Sequence, residues 1–263
     1  MTTRPSFVRS ESRGGVRHVQ LDRPERLNAV SEELYADLEP ALREVAADDG
    51  ARVLVLSGAG RAFCAGADRK AHAERERSAA ERRAYVWAGQ RVCRLLQTMP
   101  LPVVAAVHGH AIGAGAELAL SADVVVCADE LQLRFPEVGL GTFVGGGLSQ
   151  RLPLFTGAMR AKQLLLLGQP LSGAEAVDWG LATEAVPTER VHERAWELAE
   201  ELAGLSKLSV GLAKRAVHGA GSMSLDEALV LEAEGMLECM DSDEWSSGLA
   251  NFSGSEARDG GSR

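Results

Sequence analysis

The 263-residue chain has no excess of positive charge: 28 lysines and arginines stand against 37 aspartates and glutamates, a formal net charge of −9. Such a balance provides no basic patch for a phosphate backbone or an anionic bilayer, so neither nucleic acid nor membrane is an expected partner. Long apolar runs are missing too. The nearest, residues 101–120, is interrupted by His108, Gly109, His110 and Glu117, and falls short of the roughly 20 continuous apolar residues of a membrane span. The amino-terminal MTTRPSFVRSES has no apolar signal core, which makes the cytoplasm the expected location. Cysteine is scarce. Cys64, Cys93, Cys127 and Cys239 are too far apart for a CxxC or zinc-ligand pattern and read as buried free thiols of a reducing compartment. The six histidines form no HExxH or similar spacing, so no metal is expected.

What is present is an ordinary globular composition, 46% hydrophobic and 25% charged, long enough for one domain or a domain with an appendage. Phe7–Glu11 and Val16–Leu21 flank Arg13-Gly14-Gly15 and read as a hairpin. Ser31 caps a helix reaching to about Asp48, with Leu34, Leu38, Leu42 and Val45 on one stripe. Arg52–Ser57 is a short continuous apolar strand, the pattern of a strand covered on both faces. After the small-residue loop Ala62–Asp68, the charged segment Arg69–Arg83 reads as a mobile surface element that becomes a proper helix at about Ala79, lasting to Met99. Val103–Val107 and Val124–Cys127 are further strands, with a short helix bearing Glu117 between them. Ala158–Leu167, a helix opened by Ser172 and ending near Gly180, a strand at Ala182–Val186, and helices at Thr188–Leu205, Lys207–Val217 and Ser224–Met240 follow, with Asp243–Phe252 a further helical candidate. Strand-and-helix units first and a helical appendage second is an α/β architecture.

The chemistry concentrates in residues 103–147, where Glu117 and Glu137 occupy the most apolar part of the chain. An apolar setting disfavours a charged carboxylate, so each needs a partner or a task. Gly113-Ala114-Gly115-Ala116-Glu117-Leu118 starts like a dinucleotide fingerprint but has leucine in sixth place and no ribose-binding acid after a neighbouring strand. Gly147-Leu148-Ser149-Gln150-Arg151 lacks the last glycine of a nucleophile elbow. Ala67, after Cys64-Ala65-Gly66, and Ala114, opening the helix of Glu117, can each present an N–H to an incoming oxygen. The residues alone leave two readings of these loops: tight packing of small residues, or an oxyanion hole.

Four ordered motifs resemble the enoyl-CoA hydratase/isomerase (crotonase) superfamily: Leu21-Asp22-Arg23-Pro24-Glu25-Arg26-Leu27-Asn28-Ala29, Ala62-Phe63-Cys64-Ala65-Gly66-Ala67-Asp68, the block from His108 to Asp123, and Pro136-Glu137-Val138-Gly139-Leu140-Gly141. The resemblance implies a spiral of ββα units over residues 1–200 and a helical trimerisation region over 201–252, assembled as a homotrimer or hexamer; the composition of residues 253–263 reads as a disordered tail. It implies a thioester carbonyl held by the N–H groups of Ala67 and Ala114, although the family usually has glycine at the latter. Glu117 and Glu137 match the two glutamates of members that hydrate enoyl thioesters, whereas isomerases typically keep only the second. Arg26, Ala65, Asp68, Lys70, Gly113 and Gly141 match positions that contact the substrate or its CoA, with Asp68 also suited to ordering the loop. The implied activity is reversible hydration of a trans-2-enoyl-CoA in fatty acid metabolism, with CoA entering as part of the substrate and no separate cofactor. A double-bond isomerase, a dehydratase and a non-catalytic partner subunit are the alternatives. Two departures bear on the substrate. The basic EKRxPxF-like tail of many members is replaced by SGSEARDGGSR, and Phe143-Val144 stands where an Ile-Pro pair is common. Both point away from a plain short straight-chain enoyl-CoA.

Overall fold

The computed structural model describes residues 6–70 and 76–247. The chain divides between Ala203 and Gly204 into two compact units. The first is built on a six-stranded sheet in the order β1 (Val8–Arg13), β2 (Val16–Leu21), β3 (Val53–Gly58), β4 (Val103–Val107), β6 (Val124–Ala128), β8 (Glu184–Val186). β1 and β2 form the expected hairpin across Gly14-Gly15, and every other neighbouring pair is parallel. Every residue of β3 and β4 is buried, as parallel strands covered on both faces require. Leu54, Leu56, Val103, Ala105 and Val107 point to one core, shared with α1 (Glu32–Ala47) and α2 (Ala79–Thr98). Val53, Val55, Val104, Ala106 and Val126 point to the other, closed by Val191, Ala195 and Ala199 of α6 (Val191–Ala203). Between β4 and β6 runs the short helix α3 (Ala114–Ala119).

The helix starts follow their caps. Ser31 accepts the Leu34 N–H at the head of α1, and Ser78 with Glu81 forms a reciprocal capping box at α2, so this helix begins where the sequence places it. The charged segment expected to be mobile lies partly outside the described residues, as does the whole of the tail at 253–263. α4 (Leu148–Leu167) starts ten residues before the predicted helix. It is bent at Gly157 (φ 75, ψ 158), and the regular apolar spacing restarts only after that glycine, so the pattern marks the second arm alone. A second sheet escaped the sequence reading: β5 (His110–Ile112) pairs in parallel with β7 (Gln132–Arg134), and isolated bridges join Ala111 to Cys64 and Leu133 to Leu171. Three-residue strands carry too few positions to show a period; long-range pairing makes them.

α5 (Gly173–Asp178) completes the first unit. In the second unit, α7 (Lys207–Gly219) and α8 (Leu225–Met240) are capped by Ser206 and by a Ser224–Glu227 box, and Gly235 packs on the Leu212 side chain. Val217, Leu225, Leu229, Val230, Met236, Leu237 and Met240 of these helices are exposed.

Asn28 ties the loop after β2 to the loop after β3. It is fully buried in the left-handed region (φ 55), where asparagine is tolerated better than most residues. Its Oδ1 accepts the Arg23 N–H at 2.8 Å, and its Nδ2 donates to the carbonyls of Ala59 at 2.9 Å and Ala62 at 2.8 Å. Replacing Asn28 by alanine strands those three groups and is expected to cost about 3 kcal/mol or more. The check is a denaturant titration at fixed protein concentration, in which the midpoint should fall at constant slope.

Candidate active site

Both loops of the site leave the carboxyl ends of adjacent parallel strands, one after β3 and one after β4. The first is stitched down residue by residue. Phe63 and Cys64 donate to the carbonyls of His108 and His110 (2.8 and 2.9 Å), and Ala65 donates to Leu27 (3.0 Å). Val30 donates to the Gly66 carbonyl at 2.7 Å and accepts from Asp68 at 2.8 Å. The residues on either side of Ala67 thus pair with Val30, and a parallel bridge of this kind turns the N–H of Ala67 itself the other way. Ala67 is exposed. Below the loop the Asp68 carboxylate, 5% exposed, meets the Arg23 guanidinium at 2.6 Å, and Arg23 also donates to the Ala29 carbonyl at 3.1 Å.

The second loop brings in α3. Gly113 has φ 53 and ψ −117, a conformation only glycine adopts without strain, and its N–H goes to Arg134 at 2.8 Å. Ala114 is the first helical residue, so its N–H has no acceptor within the helix. A methyl group on Gly115 would overlap the Cys64 carbonyl, so α3 lies directly on the first loop. One on Gly66 (φ 89) would meet the Ile112 carbonyl at 2.5 Å and stand 3.9 Å from the Ala114 nitrogen. The N–H groups of Ala67 and Ala114 therefore belong to adjoining backbones, and among the described residues neither has an acceptor. A pair of such donors is suited to a developing oxyanion.

Glu117 occupies the fourth position of α3. Its Oε1 accepts the Gly145 N–H at 2.7 Å. Burial pushes its carboxyl up from 4.5 to about 7; the Gly145 hydrogen bond opposes the rise, and the charge of Glu137 adds to it. Glu137 is 9% exposed, and burial raises its pKa as well. Its Oε1 lies 2.5 Å from the place a Cβ on Gly113 would take, beside the start of α3, while Oε2 is buried with no hydrogen-bond partner among the described residues. A carboxyl with an unpaired oxygen in a dry setting favours its protonated form.

The structure thus brings together Glu117, Glu137, Ala114 and Gly113, with Ala67 on the facing loop. Ala65, half-buried, is fixed to Leu27. Arg26 and Lys70 are exposed cations at either end of the hydrogen-bonded pair of loops. Gly141 is exposed at φ 72, closing the short turn that follows Glu137. The sequence reading did not single out Gly145 and Gly146, though the run Gly145-Gly146-Gly147 was a signal: a Cβ on Gly145 would stand 2.8 Å from Glu117 Oε2, and one on Gly146 3.0 Å from Glu117 Cβ. Nor did it find Arg23 as the counter-ion of Asp68, or Gln90 on the same side of Gly145 as Glu117.

A sequence model described as enoyl-CoA hydratase/isomerase matches residues 11–259. The chain belongs to that family. It is 37% identical over 237 residues to 1,2-epoxyphenylacetyl-CoA isomerase of Escherichia coli, covering 87% of this chain and 88% of that protein. Short-chain-enoyl-CoA hydratase of Clostridium acetobutylicum is 32% identical over 243 residues, covering 92% of each. An enoyl-CoA hydratase crystal structure from Bacillus anthracis superposes with a TM-score of 0.90 at 31% identity, covering 95% of this chain and 97% of that one. The crotonase fold of the first unit is thereby shared with solved members of the family.

Burial of Glu117 has a thermodynamic signature. A carboxyl whose folded-state pKa lies near 7 against an ordinary 4.5 binds more proton when folded, so its contribution to stability falls as pH rises from 4.5 through 7. The full loss is on the order of 3 kcal/mol. Glu117→Gln removes the titration, and the variant is expected to be more stable than the parent at pH 8, with the difference shrinking to little at pH 5. Denaturant unfolding at the two pH values checks this; a variant equally or less stable at pH 8 would contradict the assignment.

Proposed function

We propose that the protein is an enoyl-CoA hydratase, adding water reversibly across the α,β double bond of a trans-2-enoyl-CoA to give a 3-hydroxyacyl-CoA. The observation that carries this reading is the placement of two desolvated carboxyls beside two unpaired backbone donors. The N–H groups of Ala67 and Ala114 hold the thioester oxygen. Glu117, ionised in part at neutral pH, takes a proton from water as its oxygen bonds to the β carbon. The double-bond electrons move toward the α carbon and the thioester oxygen as an enolate, and Glu137 in its protonated form delivers a proton to the α carbon. Atoms balance as one water added, and each glutamate ends in the other's starting protonation state. Arg26 and Lys70 are suited to the phosphates of CoA, with Gly113, Gly141 and the backbone at Ala65–Asp68 lining its approach.

A second reading has one supporting observation, the 37% identity to a protein named an isomerase: the same two carboxyls could shuttle a proton between carbons of a thioester without adding water. The exposed apolar helices of residues 204–247 suit burial against further copies of the chain, as a homotrimer or hexamer. We place the reaction in the cytoplasm and in acyl-chain metabolism.

Glu117→Gln and Glu137→Gln are each expected to lower kcat for hydration at least 100-fold, read as loss of the conjugated enoyl-thioester absorbance over a panel of short, long, branched and aromatic thioesters. Near-normal hydration by both variants would sink the mechanism. A product with a displaced double bond and no oxygen from labelled water would select the isomerase reading. In the parent, kcat/KM should rise with pH through about 7 as free Glu117 ionises, and a flat profile between pH 6 and 8 would count against Glu117 as the base.

A further inference from the structure

Between Val144 and Leu148, both buried in the main core, the chain passes Glu117 on three glycines. Gly146 and Gly147 are left-handed (φ 63 and 73). Three residues without side chains cannot be held by packing, and glycine loses more conformational freedom than any other residue when it is fixed, so hydrogen bonds must hold the run where it lies. Leu148 donates to the Gly145 carbonyl at 3.1 Å, and Gln150 and Arg151 each donate to that of Gly147 at 3.1 Å, all from the first turn of α4. The Gly145 N–H goes to Glu117 Oε1. The Gly146 carbonyl is met from another element, by Gln97 in the last turn of α2, whose Nε2 donates to it at 2.9 Å.

The same nitrogen donates to Ser121 Oγ at 3.0 Å. Ser121 is 1% exposed and gives its own hydrogen to the Glu117 carbonyl at 2.7 Å, so toward the amide its oxygen accepts. A carbonyl never donates, which fixes the orientation of Gln97: the NH₂ group, with one hydrogen for each oxygen, faces Gly146 and Ser121. The contacts close a ring that starts and ends on one residue. It runs from the Glu117 carboxyl to the Gly145 N–H, along the chain to the Gly146 carbonyl, and through Gln97 and Ser121 back to the Glu117 carbonyl. One side chain thus couples the glycine run to the backbone of the acid it covers. From α4, Arg151 donates to the Leu120 carbonyl at 2.7 Å, which ties α4 to the end of α3 and leaves the Gly146 carbonyl to Gln97.

We propose that Gln97 is a positioning residue for the base: its two hydrogen bonds keep the glycine run closed on Glu117 and so keep bulk water from its carboxyl. The task this serves in proton transfer rests on the hydratase reading; the closed run does not. Without the amide, the Gly146 carbonyl turns to solvent for a partner, the run lifts, and water reaches Glu117. That water replaces the Gly145 hydrogen bond and relieves the desolvation. Because burial is the largest cause of the raised carboxyl, the net change is a fall toward the ordinary 4.5. The other titratable groups in the field of Glu117 are Glu137, the thiols of Cys64 and Cys93, pushed up to about 12 by burial, and the phenols of Tyr35 and Tyr85, raised by burial as well. The thiols and phenols stay neutral near neutral pH, and Arg151 is bonded to Leu120, so Glu137 is the neighbour that titrates with Glu117.

The test uses the full chain labelled with carbon-13 at the glutamate Cδ. The resonance lost in Glu117→Gln is expected to titrate at about 7 in the parent. In Gln97→Met, which keeps the length of the side chain and loses both donors, it is expected to titrate about one pH unit lower or more, with the double variant Gln97→Met/Glu117→Gln supplying the assignment. Gln97→Asn, an amide one methylene short of both oxygens, is expected to move it in the same direction and decides the matter if the methionine variant lacks a native circular dichroism spectrum. In hydration assays the rising limb of kcat/KM should move down with the resonance. At pH 8 kcat should fall roughly tenfold as the base weakens, while KM changes by less than about threefold, since Gln97 touches no group assigned to CoA. A Glu117 resonance that titrates at the parent's pH or higher in the variants overturns the proposal, as does a parent resonance already near 4.5. A lowered resonance in a protein that hydrates no thioester would sink the hydratase reading and leave Gln97 its role in closing the run; full hydration with an unmoved resonance does the reverse.

Discussion

Desolvation of Glu117 is the constraint around which the first unit is arranged. A carboxyl in water titrates near 4.5 and is a poor base at neutral pH; held dry, this one titrates near 7. Dryness needs a lid that approaches closely, and the lid is a run of glycines. Gly145 gives Glu117 its hydrogen bond, and Gly145 and Gly146 pass so near its side chain that a methyl group on either would crowd it. Behind α3, Leu118 and Ala119 are fully buried in the main core, which anchors the helix that carries the acid. Burying a charged group is unfavourable, so this site stands on the packing around it and returns none of that stability itself.

The same logic of close backbone approach explains the donor pair. Ala67 and Ala114 can present their N–H groups side by side because Gly66 and Gly115 let one chain segment lie directly on another. Positioning then comes from below. Asn28 binds the β3 loop from inside the fold, and the buried Arg23–Asp68 pair fixes its far end. A buried ion pair is weak support for net stability but strongly resists removal of one partner, which suits a role in holding a loop in one conformation. Parallel strands β3 and β4 set the origin of both loops, at the carboxyl edge where α/β sheets present their ligands.

How far this was legible in the sequence follows from where the information sits. Strands β3 and β4 and helices α1 and α2 were readable because their cause is local: continuous apolar runs, apolar stripes and a serine cap. β5 and β7 were not, because three residues paired across the chain leave no period to detect. Glu117 and Glu137 stood out as acids in apolar surroundings, and the small-residue loops stood out by composition, but the residues alone could not separate an oxyanion hole from tight packing. Only the pairing of Gly66 and Asp68 with Val30 shows which way the Ala67 N–H points.

The far face of the sheet shows why partners and access, more than residue types, decide where chemistry is possible. There His18 bonds Glu11 through Nδ1 at 2.7 Å and Ser57 through Nε2 at 2.8 Å, the acid–imidazole–hydroxyl order of a hydrolase. Ser57, however, has no exposed surface and sits among the residues covered by α6, so no acyl group reaches its oxygen. Nearby, His192 packs 5.2 Å from His108 and is held down to about 4 by burial and its histidine neighbours, which keeps a charge out of that core at neutral pH. Glu11 of this cluster reaches solvent, but the serine is buried and already bonded to the imidazole. On the face of Glu117 the donors at Ala67 and Ala114 and the second oxygen of Glu137 have no acceptor or donor among the described residues, and Ala67 is open to solvent. Unspent hydrogen-bonding capacity that a ligand can reach is what separates the two polar clusters.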